Sequence, residues 1–195
     1  TMEMAKTFNE VYQHLGTVEE ISDLMLNIIN NVLDIRKLEE NRMEFELFWV
    51  SANSLVGGAL KVLAPSISLA EKKGIYFEYF LENDNLFVLI EPYRARQLIV
   101  NILGNAIKYT IKGKIQLRVE LMELAWIRVS VSDTGRGIKP EERDLTFEPF
   151  RQLRNKEGTW MAKGTGLGLY FCKLMVRAMG GRIWLGSEYG FGAIF

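Results

Sequence analysis

Little in this sequence is available for redox, disulfide or membrane chemistry. Of its 195 residues, one is cysteine, one is histidine and four are proline. Cys172 alone cannot form an internal disulfide, which fits a reducing compartment. No histidine lies near it in sequence, so it reads as a small buried apolar residue and not as a nucleophile. No run approaches the ~20 apolar residues that a membrane span needs. No signal peptide is visible, and any part that touches a membrane lies outside these residues. Charge of one sign is not in excess either: 24 Lys and Arg balance 24 Asp and Glu. The absence of a basic field argues against nucleic acid as the main partner.

What is present is a folding composition. Apolar residues make up 48% of the chain, enough for one core plus an appendage, and wholesale disorder is excluded. From about residue 10 to 40 there is no proline, and Val11, Val18, Ile21, Met25, Ile28, Val32 and Ile35 recur by sevens, threes and fours. Leu24 and Ile29 widen that stripe, so it predicts a bundle-forming helix that needs a helical partner, such as a second copy of the chain. The alternative is a helix packed on its own domain. Phe45, Leu47 and Trp49 alternate as a short strand. Residues 51–72 read as a helix kinked or divided at Pro65 and stopped at Lys72-Lys-Gly74. Ile75–Phe80 and Leu86–Ile90 read as strands about an Asn-Asp-Asn turn, and a helix starts at Pro92. Runs 113–123 and 126–132 are β-rich, 134–163 is mostly loop, and 167–179 is a helix ended by Gly180-Gly181. Ile183–Leu185 and Gly192–Phe195 read as strands. Helices and strands are mixed without strict alternation. The expected class is α+β: a two-layer sandwich of one sheet and one helical layer.

Four stretches carry chemistry. On the helix from Pro92, Ala95, Leu98, Ile99, Ile102, Leu103, Ala106 and Ile107 share one face. Arg94, Gln97, Asn101, Asn105 and Lys108 fall within about 80° of one another on the other face. Asparagines four apart cost helix propensity. Their amide oxygens are hard ligands suited to Mg²⁺, and Lys108 adds a point charge for phosphate. An ordinary polar face is the alternative. Asp133 closes an apolar strand and is followed by Thr134-Gly135-Arg-Gly137. Such a carboxylate can accept a hydrogen bond from an exocyclic amine, with glycines letting backbone approach a flat ring; a plain turn has the same signature. Gly164-Thr-Gly166-Leu-Gly168-Leu enters an apolar helix, whose free N–H groups and dipole suit phosphate. It is neither a Walker sequence nor a dinucleotide fingerprint. Between them, 139–163 is long for a loop and reads as a lid. Phe147 and Phe150 could pin it by burial while Arg151 and Lys163 face phosphate; two core aromatics and two solvated cations are the alternative.

Taken in order, Asn101-Ile-Leu-Gly-Asn105-Ala-Ile-Lys108-Tyr109, Asp133-Thr-Gly135-Arg-Gly137, Phe147-Glu-Pro-Phe150 and Gly164-Thr-Gly166-Leu-Gly168 resemble the N, G1, F and G2 boxes of sensor histidine kinases. These are members of the GHKL ATPase superfamily. The resemblance covers roughly 45–195, and about 18–43 resembles the second helix of the dimerisation and phosphotransfer hairpin. It implies a Bergerat-type fold, with a helical segment at 1–43, a catalytic ATP-binding domain at 44–195 and a lid at about 139–165. It also implies a two-component kinase that moves the γ-phosphoryl of ATP to a histidine and on to a response-regulator aspartate. Implied roles follow. Asn105 is the main Mg²⁺ ligand with Asn101 beside it; Lys108 and Arg151 act at the phosphates. Tyr109, Asp133, Gly135, Gly137 and Ile138 line the base. Phe147 and Phe150 hinge the lid, and Gly164, Thr165, Gly166, Leu167 and Gly168 wrap the phosphates. The implied partners are a receiver domain and a second protomer through the N-terminal helix. The implied location is the cytoplasm, or the cytoplasmic portion of a membrane-bound sensor.

One departure matters. The family's acceptor histidine precedes an acid and, five residues on, a proline. The single His14 is followed by Leu15-Gly16-Thr17-Val18-Glu19. The expectation is therefore that the acceptor lies elsewhere, in a longer kinase of which this is a fragment, as a last strand stopping at Phe195 also favours. The other course is a degenerate kinase that binds nucleotide or a partner without phosphotransfer. Gyrase-, mismatch-repair- or chaperone-like hydrolysis is disfavoured, since the Asn101 stripe carries no general-base acid.

Overall fold

The computed structural model describes residues 2–123, 126–152 and 165–195; at 2–14, 17, 19, 20, 23, 24 and 27 it describes backbone alone. With no proline to interrupt it, helix α1 runs Met2–Glu39. It ends where Asn41 takes a left-handed φ of 53°, a conformation asparagine tolerates. The last carbonyls are then satisfied by Asn41 N–H to Leu38 O at 3.1 Å and Arg42 N–H to Lys37 O at 2.8 Å. His14 lies on α1 with its side chain outside the described part.

The predicted stripe on α1 divides in two. Ile35 and Leu38 are buried, whereas Val18, Ile21, Met25, Ile29 and Val32 are exposed. The end of the helix packs on its own domain, and among the described side chains Val18, Ile21, Met25, Ile29 and Val32 have no cover. At the junction the guanidinium of Arg94 grips the Asp34 carboxylate with both Nη atoms, Nη2 to Oδ1 at 3.0 Å. Tyr170 donates its hydroxyl to Glu39 at 2.7 Å.

The catalytic layer follows in the order β1 Phe48–Ser51, α2 Ala52–Lys72, β2 Ile75–Leu81, β3 Phe87–Ile90, α3 Pro92–Tyr109, β4 Gly113–Met122, β5 Trp126–Asp133, α4 Pro140–Arg143, α5 Gly168–Ala178, β6 Gly186–Glu188 and β7 Gly192–Ile194. Strands order β2-β4-β5-β7-β6 in one five-stranded mixed sheet, with β2 parallel to β4 and the other neighbours antiparallel. Inward residues Ile115, Leu117, Val119 and Val131 pack on Ala52, Val56 and Ala59 of α2 and Ile99, Leu103 and Ala106 of α3. The opposite face carries the pairs Lys114–Glu78 and Arg128–Glu120 beside exposed Tyr76, Phe80 and Trp126. This is the expected α+β sandwich: helices over a mixed sheet, led by one long helix.

Four local expectations shift. The early strand is Phe48–Ser51, which starts three residues after Phe45 and keeps only Trp49 of the alternating triplet. Pro65 does not divide the chain into two helices: α2 continues to Lys72. Leu60, Leu63 and Ala70, on both sides of the proline, join the same core, and that packing outweighs the lost hydrogen bond. Strands β2 and β3 do not pair with each other. Val119 O and Leu121 N–H bind Glu82 beyond the end of β2, which keeps β2 on β4, while β3 joins β1 in a separate ribbon. The penultimate strand is Gly186–Glu188, after Ile183–Leu185.

Candidate nucleotide-binding site

Helix α3 supplies one wall. The Glu91 carboxylate caps it, accepting from Tyr93 and Arg94 N–H groups, with Pro92 in the first turn. Burial of Ala95, Leu98, Ile99, Leu103 and Ala106 fixes its rotation, and this turns Asn105 and Tyr109 toward a cavity of ≈ 160 Å³. Asp133, Gly137, Ile138 and Arg151 line the same cavity.

Asp133 stands at the end of β5, opposite Ile115 of β4 and Ala193 of β7. Its Oδ1 accepts the Gly135 N–H at 2.8 Å. Burial pushes its pKa above the ordinary carboxylate value, while the Gly135 and Ala193 N–H groups pull it back. The result is an oriented, half-dry acceptor, as recognition of an exocyclic amine requires. A Cβ on Gly135 would come within 2.8 Å of Asp133 Oδ1 and 2.7 Å of Tyr109 O.

The loop after Asp133 is bolted to the β6–β7 hairpin. Ile138 N–H donates to Ser187 Oγ at 2.7 Å, and Ser187 Oγ donates to Gly192 O at 2.9 Å. Gly190 N–H donates to Arg136 O at 2.6 Å. Gly137 has φ 67°, and a Cβ there would lie 2.1 Å from Glu188 O, so glycine is required both by torsion and by space. Nothing in the four motifs announced this hairpin. The clustered glycines of Glu188-Tyr-Gly190-Phe-Gly192 were the available signal.

The Phe150–Gly166 junction is built from backbone. Gly166, at φ 72°, accepts the Phe150 N–H at 3.0 Å, and a Cβ on it would lie 2.7 Å from the Phe150 carbonyl carbon. The F and G2 stretches therefore meet through main chain. Phe150 corrects an expectation: its ring is 70% exposed, and it fixes the segment through its N–H, at a φ of 61°, instead of by burial. Phe147 is half-buried, its ring edge-on to Phe195 at 6.2 Å. Helix α5 starts at Gly168 behind Leu167, which provides no side-chain cap, so its first N–H groups have no side-chain acceptor. Thr165 Oγ1 accepts the Leu167 N–H at 3.1 Å. The Leu167 side chain does not line the cavity. It is buried with Ile35, Leu38, Phe171 and Met175, so the glycine run is anchored on α1.

Of the residues predicted from sequence, Asn105, Tyr109, Asp133, Gly137, Ile138 and Arg151 line one cavity. Asn101 does not. One turn back on α3, it faces the start of α5, 3.9 Å from where a Gly168 Cβ would be, and its side chain reaches the buried Cys172 thiol. Lys108 is exposed, its ammonium 5.0 Å over the Tyr109 ring. Gly164 and Lys163 lie outside the described residues. The motifs did not flag Glu142, Thr146, Gln152, Ala193 and Phe195, which also line the cavity. Cys172 is wholly buried, as expected, and burial raises its thiol to about 12.

The description "Histidine kinase-, DNA gyrase B-, and HSP90-like ATPase" matches residues 90–195. Sensor protein GacS of Pseudomonas syringae is 33% identical over 188 residues, covering 94% of this chain. The chain spans only 20% of that relative's length. ShkA, solved full-length in complex with AMPPNP, superposes with a TM-score of 0.79 at 31% identity, covering 94% of this chain and 37% of that one. Histidine kinase ThkA, solved in complex with response regulator protein TrrA, gives a TM-score of 0.64 at 27% identity, over 88% of this chain and 48% of that one. The chain belongs to the histidine kinase-, DNA gyrase B- and HSP90-like ATPase family, with an ATP-binding catalytic domain of the kind found in sensor histidine kinases.

Proposed function

We propose that residues 44–195 bind ATP and deliver its γ-phosphoryl group to a histidine carried by another helical segment, for relay to a receiver-domain aspartate. The observation that supports this best is convergence: Asp133, Asn105 and Arg151, from three different elements, line one cavity. In this reading Asp133 accepts the adenine amine. Gly137 and Ile138 form the floor under the ring, and Tyr109 lines the opposite wall. Arg151 and Lys108 neutralise phosphate charge, and the first turn of α5 donates N–H groups. In transfer, the bond from the γ-phosphorus to the β–γ bridging oxygen breaks and a phosphorus–nitrogen bond to imidazole forms. The domain contributes position and charge.

Among the described residues no cluster of three or more His, Cys, Asp or Glu could cage a metal. An Asn105 amide beside the phosphates fits Mg²⁺ instead, which takes few protein ligands and keeps its waters. Bound there, it would offset charge on the transferring group. Asn101, turned to α5, is better suited to seating Gly168 than to a metal. Residues 1–43 would pair with a second protomer through the exposed face of α1, where Val18, Ile21, Met25 and Ile29 have no cover.

The test is transfer in trans. With γ-labelled ATP and Mg²⁺, the chain should label a separately supplied hairpin bearing an acceptor histidine, and a receiver domain should then remove the label. Tight ATP binding with no label on the hairpin would favour the module without phosphotransfer, for which the single, poorly placed His14 speaks.

A further inference from the structure

Arg136, Glu142, Thr146 and Gln152 line the cavity without a task in the reading above, and Glu142 is the acid among them. Glu142 belongs to α4, and its Oε2 is shut off from solvent without a hydrogen-bond partner. Its main chain is held: the N–H donates to Lys139 O at 2.9 Å, and the carbonyl accepts the Thr146 hydroxyl at 3.0 Å. The backbone is pinned while the carboxylate is unsatisfied. Buried polar oxygens are nearly always paired, because leaving one bare forfeits its hydration. The missing donor therefore arrives with a ligand.

We propose that Glu142 accepts a hydrogen bond from the ribose hydroxyls of bound ATP and makes the site selective for ribonucleotides. The inference rests on the ATP reading of this cavity. At neutral pH, ATP offers two kinds of strong donor, the adenine amine and the ribose hydroxyls; its ring nitrogens and phosphate oxygens accept. Asp133, oriented by Gly135, takes the amine. The hydroxyls remain, and the sugar lies between base and phosphates. Glu142 occupies the matching stretch of chain, after the base floor at Gly137-Ile138 and before Arg151. A carboxylate at the phosphate end itself would repel the triphosphate. Rotation of the carboxylate alone would only exchange its two oxygens, so the Glu142 side chain as a whole swings toward the cavity it lines to meet the hydroxyls.

The experiment is calorimetry on the 195-residue chain with ATP and 2′,3′-dideoxy-ATP, each with Mg²⁺ and with a chelator. The wild type should prefer ATP by roughly tenfold or more, as a hydrogen bond to a charged acceptor implies. Glu142→Ala should bring the two nucleotides within about twofold, mainly by weakening ATP. Glu142→Gln, which keeps the shape and a neutral acceptor, should retain part of the preference, so a folding defect in the alanine variant cannot mimic the result. An unchanged preference in Glu142→Ala overturns the proposal. So does an equal loss for both nucleotides seen only with Mg²⁺, which would make Glu142 a metal ligand. Wild-type binding of ATP without any preference sinks this inference alone; no binding of ATP sinks the site reading beneath it.

Discussion

At the base end of the cavity, Asp133 stands between two neighbouring strands, and the loop beyond it is fastened to the β6–β7 hairpin at Ser187, Glu188, Gly190 and Gly192. At the phosphate end, the fixed points are one main-chain bond between Phe150 and Gly166 and the plug of Leu167 into a cluster shared with α1. The base end is part of the sheet and inherits its rigidity. Toward Gly166 and Leu167, the chain is held between the start of α5 and the end of α1. On the proposed reading, holding a nucleoside while handing on its terminal phosphoryl would gain from this division.

The largest effect should separate the ends outright. Asp133→Ala removes the acceptor for the amine and should weaken ATP and adenosine alike, by a hundredfold or more on the order expected for an unpaired amine in a polar site. Calorimetry checks it; a variant that still binds adenosine normally would move the base elsewhere. Next, Gly137→Ala and Gly166→Ala both force a side chain into a left-handed backbone with no room, each at roughly 1–3 kcal/mol. The first should lower the melting temperature and weaken adenosine and ATP together. The second should weaken ATP while sparing adenosine. Equal losses for the two ligands in both variants would erase the contrast.

Smaller still, Ser187→Ala deletes one hydroxyl that accepts from Ile138 and donates to Gly192. It should cost about 1 kcal/mol in thermal stability and a comparable fraction of adenosine affinity, with no added loss for ATP. The subtlest test is electrostatic. Burial raises the Asp133 pKa in the fold, so the ionised carboxylate opposes folding above that pKa, and the opposition fades as acid protonates it. Asp133→Asn should therefore melt higher than wild type at neutral pH, with the gap closing as pH falls into and below the carboxylate range. A gap that widens in acid would contradict the burial account.

The sequence made the base end legible at Asp133, Gly135 and Gly137, because short-range spacing and backbone torsion decide what those residues do. Helix α3 was equally legible: the 3.6-residue periodicity separates its buried stripe from Asn105. Asn101 shows the limit of that reasoning. It shares a stripe with Asn105, yet α5 covers it, and only tertiary packing determines which turn of a helix is covered. Likewise, the bolts on the β6–β7 hairpin and the coupling of Leu167 to Ile35 join residues far apart in sequence. No local pattern encodes those contacts. Pro65 reads as a helix breaker until the core on both sides of it is counted.

The account depends most on one cavity accepting a magnesium nucleotide with its base at Asp133 and its phosphates toward Arg151 and α5. Calorimetric titration of the unmodified chain with ATP tests this directly, run with Mg²⁺ and again with chelator, and beside adenosine. The account predicts saturable one-site binding that is tighter for ATP than for adenosine and weakened by the chelator. Absence of heat, or affinity indifferent to both the phosphates and the metal, would contradict it.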